Sequence, residues 1–106
     1  MNFLVDTHSL VARGRLYLAA GDPAGAARLL AQAAEAAPRD RAVATDLARA
    51  YFDSAQLGRA EQAFRTLVDL DPTDAWARRG LARTLRRLSR ADEAAGHDRV
   101  AAALEG

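Results

Sequence analysis

The stretch RRGLARTLRRLSR, Arg78 to Arg90, places six arginines in thirteen residues. A guanidinium is a rigid fork of N–H donors that grips carboxylate or phosphate bidentately, so such a cluster suits an anionic ligand. It also suits plain solvation, because Arg is a good helix former. On a helical wheel, Arg79, Arg83, Arg86, Arg87 and Arg90 fall within about 100°, with Trp76 in the same arc. Leu81, Leu85 and Leu88 occupy a different face beside Ala77, and only Arg78 lies outside the basic arc. Charge and apolarity are therefore segregated, and a large aromatic beside arginines has the composition of a binding hot spot. No catalytic constellation accompanies it. His8 and His97 lie at opposite ends of the chain, and there is no Cys to complete a metal site. Ser9, Ser54 and Ser89 have no histidine base at a neighbouring register, and no phosphate-binding glycine loop is present. Asp69 and Asp71 flank a helix end before Pro72 and read as turn residues.

The elements that position these residues recur. Tyr17 and Tyr51, Ala26 and Ala60, Leu30 and Phe64, Ala33 and Leu67, Pro38 and Pro72, and Asp40 and Asp74 are all 34 residues apart. Six coincidences at one offset make an internal repeat. The offset continues to Leu85, Ala94 and Ala101, which gives units 7–40, 41–74 and 75–106 with 1–6 as a lead-in, all within one domain. Each unit reads as two helices. In the first, Leu10, Gly14, Tyr17 and Leu18 recur at helical spacing, Gly21 ends the helix, and Asp22-Pro23 starts the next as cap and first-turn proline. Pro38 closes the unit. Small residues at Gly14, Ala48, Ala82, Ala26, Ala60 and Ala94 let paired helices approach, and Tyr17, Tyr51, Leu30 and Phe64 fill the core beside them. No run alternates as a strand would.

The first unit carries L-x-x-R-G-x-x-Y, then Ala26, Leu30, Ala33 and Pro38. This resembles the tetratricopeptide repeat, W-x-x-L-G-x-x-Y followed by A, F, A and P. The resemblance covers residues 7–106. It departs at Leu10, Arg13 and Leu85, and most at Asp98, where the second unit has Phe64. It implies an all-α, right-handed superhelical stack of three helix–turn–helix repeats, with the first helix of each repeat lining a concave groove. Arg15, Arg49 and Arg83 then form a ladder at one repeat position, joined in the groove by Phe52, Trp76, Arg79 and Arg86 and by the carboxylates Asp46 and Asp53. The family's carboxylate-clamp residues are absent from the matching positions Val11, Arg15, Asp46, Trp76 and Gly80, so capture of a chaperone tail is not implied. Asp98 and Arg99 suit the polar outer face of a last repeat, and Gly96 within its second helix makes that helix the least stable element expected. With no separate capping helix, the third unit caps itself or meets another chain.

Composition bounds the rest. The chain has 106 residues and a net charge of +1, so no global field draws it to nucleic acid or an anionic membrane. All 15 basic residues are Arg and alanine dominates, a bias that fits GC-rich coding and a bacterial source. The compensating acids, Glu35, Glu61, Asp69, Asp71, Asp92 and Glu93, are expected on second helices and loops. No apolar run approaches a membrane span and MNFLVD is not a signal peptide, so the expected location is the cytoplasm. Phe3, Leu4 and Val5 are expected to pack on the first repeat. The function expected is a non-enzymatic adaptor, with no cofactor and no metal, that holds an acidic peptide or protein segment in the basic groove. The rivals are single-stranded nucleic-acid binding by the Arg78–Arg90 helix, which near-neutral charge disfavours, and homo-oligomerisation through uncapped repeat ends. A membrane helix is disfavoured because the face opposite the arginines belongs to the core.

Overall fold

The computed structural model of the chain describes residues 6–106. These form six α-helices: α1 (Thr7–Ala19), α2 (Pro23–Ala36), α3 (Arg41–Asp53), α4 (Leu57–Leu70), α5 (Ala75–Arg87) and α6 (Ala91–Glu105). No strand occurs among the described residues. Phe3, Leu4 and Val5, expected on the first repeat, lie outside them.

Aspartate sets most helix starts. The carboxylates of Asp6, Asp22, Asp40 and Asp74 accept from the free backbone N–H groups of His8, Gly25, Ala42 with Val43, and Ala77 respectively. The turn inside each pair is built the same way three times. Gly21, Ala55 and Ser89 are 34 residues apart and all have positive φ, at 81°, 59° and 63°. The next residue donates back to the helix in each case: Asp22 to Tyr17, Gln56 to Tyr51 and Arg90 to Leu85, at 2.8 to 2.9 Å. This is the double-bonded left-handed helix stop, for which glycine pays no steric penalty and Ala55 and Ser89 do.

Each helix packs on the next in order, and the stack measures 50 × 23 × 20 Å. Small residues set the spacing inside pairs. A Cβ at Gly14 would overlap the Leu30 side chain, and Ala48 and Ala82 are fully buried at the matching places. The buried core falls into clusters, one around Leu30 and Ala50 and a larger one around Phe64, Leu67, Leu81 and Leu85, which Tyr51 joins by packing against both. Tyr17 corrects an expectation. It was read as core, yet it is 41% exposed, whereas Tyr51 at the same position is packed between two core clusters. Tyr51 has α2 in front of it, and among the described residues Tyr17 has no helix there.

Candidate functional site

The first helices α1, α3 and α5 carry the arginine ladder. Asp46 lies one helical turn into α3 and Arg15 reaches it across the first boundary, Nε to carboxylate 2.7 Å. Arg49 and Arg83 occupy the matching positions on α3 and α5. Neither forms an ion pair among the described residues. Each guanidinium lies over an aromatic ring instead: Arg49 5.6 Å from the centroid of Trp76, and Arg83 5.0 Å from that of Phe52. Arg87 covers the same Phe52 ring at 5.1 Å. These are cation–π contacts, which hold a cation in place without neutralising it.

Between α3 and α5 the surface opens into a cleft of about 230 Å³ lined by Arg49, Phe52, Asp53, Phe64, Trp76, Arg79, Gly80 and Arg83. Its floor is aromatic. Phe64 rises from α4 and meets Trp76 at 5.5 Å between centroids with the rings tilted by 53°. Gly80 makes this possible, because a Cβ there would overlap the Phe64 ring. Trp76 remains 42% exposed, open to a ligand. A second hollow, lined by Arg15, Asp46, Arg49 and Asp53, continues along the same face.

The structure thus brings Arg49, Phe52, Trp76, Arg79 and Arg83 to one cleft, places Arg15 in the adjoining hollow, and leaves Arg86 outside both. Arg86 faces α6 and pairs with Asp98, and Arg79 pairs with Asp98 and with Glu105 at 2.6 Å. The hydrogen bond from Arg86 holds the Asp98 carboxyl below its ordinary range, and that from Arg79 does the same for Glu105. Two expectations change here. The acids that balance the groove's C-terminal end are on the last helix, Asp98 and Glu105, beyond the set foreseen. Asp98, read as a solvent-facing residue, is a partner of two arginines. Glu61, Glu93, Arg65 and Arg90 form a separate network that joins α4 to the start of α6. Arg87, Phe64 and the steric need for Gly80 were missed by sequence reasoning. The 34-residue offset carries a signal for the last, because Gly80 stands where the preceding repeat has Asp46, and Phe64 where it has Leu30, so the larger ring and the missing side chain change together.

Among the described residues no three His, Cys, Asp or Glu side chains gather as a metal site, and no helix is long and apolar enough to cross a membrane. His97 contacts Arg78, and burial first, then the Arg78 and Arg65 charges, push its pKa below the ordinary value.

Solved structures with this fold include MamA MSR-1, with a TM-score of 0.88 at 23% identity over 94% of this chain and 57% of that one. MamA AMB-1 gives 0.89 at 24% identity over 93% and 58%. MamA from Desulfovibrio magneticus RS-1 gives 0.86 at 26% identity over 93% and 56%. The chain therefore spans little more than half the length of these MamA chains. A comparison with curated proteins finds no match. Two family models, each described as tetratricopeptide repeat, match residues 17–69 and 45–105. With six helices in a 34-residue period and these matches across residues 17–105, the chain belongs to the tetratricopeptide repeat family, whose members are protein-interaction modules.

Proposed function

We propose that this module holds an acidic, extended segment of a partner protein in the cleft between α3 and α5. The observation that carries the reading is the pair Arg49 and Arg83. Both lie at the cleft, neither has a carboxylate partner among the described residues, and each is held over an aromatic ring. A guanidinium that is already positioned loses less side-chain freedom when it closes on a ligand. Carboxylates of the segment would accept charge-assisted bidentate bonds from Arg49 and Arg83. An apolar residue between them would seat against Phe52, Phe64 and Trp76. Arg15 and Arg79, each already bound to acids of this chain, would contribute less, since a ligand must displace Asp46 or Asp98 and Glu105. Asp53 at the cleft wall disfavours a second like charge beside it and sets the register. The reading contains no catalytic step and no cofactor, and we place it in the cytoplasm.

Trp76, the sole tryptophan, reports on the cleft. Its emission is expected to shift saturably when peptides containing two acidic residues around an apolar one are added, and not when their Gln and Asn counterparts are. A hydrogen bond to a charged group contributes roughly 1.5–3 kcal/mol, so Arg49→Glu or Arg83→Glu should each weaken binding about tenfold or more. Undiminished affinity in both variants overturns the site. If oligodeoxythymidylate saturates the signal with a steep loss on adding salt and the acidic peptides do nothing, the ligand is single-stranded nucleic acid and the proposal fails.

A further inference from the structure

The two ends of the stack carry the halves of a boundary that the interior shows complete. In α3 the positions Leu47, Ala50 and Tyr51 pack on Ala27 and Leu30 of α2, and in α5 Leu81, Thr84 and Leu85 are buried behind α4. The same positions in α1 are Arg13, Leu16 and Tyr17, and all three are exposed, Leu16 at 69%. At the other end, α6 presents Ala95, Asp98 and Ala102 where α2 presents Ala27, Leu30 and Ala34 to α3. The exposed head is apolar around one basic residue. The tail is alanine around one acid, Asp98, with the exposed Arg99 at its edge where α2 has Ala31. At both internal boundaries the central pair is apolar, Leu30 with Leu47 and Phe64 with Leu81. On the outer faces of α6 and α1 both members are changed, to Asp98 and Arg13, which are of opposite charge.

We infer that copies of this chain associate head to tail, the α1 face of one seated on the α6 face of the next, so that the helical stack continues from chain to chain. Leu16 and Tyr17 would lie on the alanine surface of α6, and Arg13 would meet Asp98, whose side chain is still 26% exposed beside Arg79 and Arg86. The same shift places His8 next to Asp98 as well, because Trp76, two repeats on, packs on Phe64. One helix seated on another is a small contact, and contacts of that size are weak and transient. The interface is heterologous, so association does not stop at a pair. This surface meets the basic cleft only through Asp98, which pairs with the cleft residue Arg79, and neither Leu16 nor Ala102 lines the cleft.

Sedimentation velocity over roughly 1 μM to 1 mM, the range in which weak contacts populate, tests it. The wild-type mean mass is expected to climb with concentration past that of two chains. Leu16→Glu blocks the head and Ala102→Arg blocks the tail. Both positions are exposed, so far-ultraviolet circular dichroism should show unchanged helix. Each variant alone should stay monomeric at every concentration. An equal mixture should form a dimer and nothing larger, since one variant keeps a free tail and the other a free head. A wild type that remains monomeric overturns the inference. So does an Ala102→Arg protein that still dimerises while Leu16→Glu does not, because that pattern means two α1 faces pair with each other.

Discussion

The boundary between α2 and α3 and the boundary between α4 and α5 are built on the same period, yet they differ in one coupled choice. The first inserts Leu30 and has Asp46 on the facing helix. The second inserts Phe64 and has Gly80 at the position of Asp46. The larger ring needs the missing Cβ. The exchange has an electrostatic result. Arg15 finds Asp46 across the first boundary, while Arg49, its counterpart, has Gly80 at the matching place across the second and pairs with no carboxylate among the described residues. One packing substitution thus creates both the aromatic floor and the free guanidinium above it. The second boundary recovers ion pairing elsewhere, through Glu61 with Arg90 and Arg65 with Glu93 on the far side of the stack.

The largest contrast should come from emptying each boundary. Phe64→Ala is expected to cost about 3–5 kcal/mol and Leu30→Ala about 2–5, out of the 5–15 typical of a whole domain. Urea denaturation followed by circular dichroism measures both. Only Phe64→Ala should also move the Trp76 emission before unfolding, because only it removes a ring that Trp76 touches. Equal emission in both variants would break the link between packing and cleft.

Acid should separate the boundaries next. Burial opposes ionisation of Glu61, but the hydrogen bonds from Arg65 and Arg90 outweigh it and hold its carboxyl below 4.5. Hydrogen bonds from Arg65 and then Arg90 do the same for Glu93. Groups depressed in the folded state contribute stability above their unfolded pKa and lose it as pH falls through the folded one. The thermal midpoint should therefore drop below about pH 4.5, and the double variant Glu61→Gln with Glu93→Gln should show a smaller drop. An unchanged acid profile in that variant would mean the network contributes nothing.

The smallest effect belongs to the first boundary's own ion pair. Asp46 is largely covered but Arg15 is more than half exposed, so Arg15→Ala should cost only about 0–1 kcal/mol. A loss well above that, read from the same urea curves, would show that the first boundary depends on charge as much as the second.

Much of the architecture is legible in the sequence. The aspartate cap at 22, the prolines at 23, 38 and 72 and the stop at Gly21 are local signals that recur with the offset of 34 residues, and local signals dictate helices and turns. The arginine ladder followed from the period alone, since residues at one repeat position stack in register. Tyr17 was misread because a period treats every repeat as if it had neighbours on both sides. The partners of Arg79 and Arg86 were not legible at all: they are on α6, 12 to 26 residues away, and no periodicity links them.

What the sequence determined by itself is therefore the repeat: its length, its helices, its caps and the equivalence of its positions, all properties of short stretches of chain. Only the tertiary structure decided which equivalent residues behave alike. Arg49 stands free and Arg15 does not, Tyr51 is packed and Tyr17 is not, and Asp98 serves as an internal counter-ion where Phe64 serves as a floor. Each of those outcomes depends on what lies across a boundary in space, and burial, ion pairing and ring contact are set by that neighbour rather than by the residue's own place in the period.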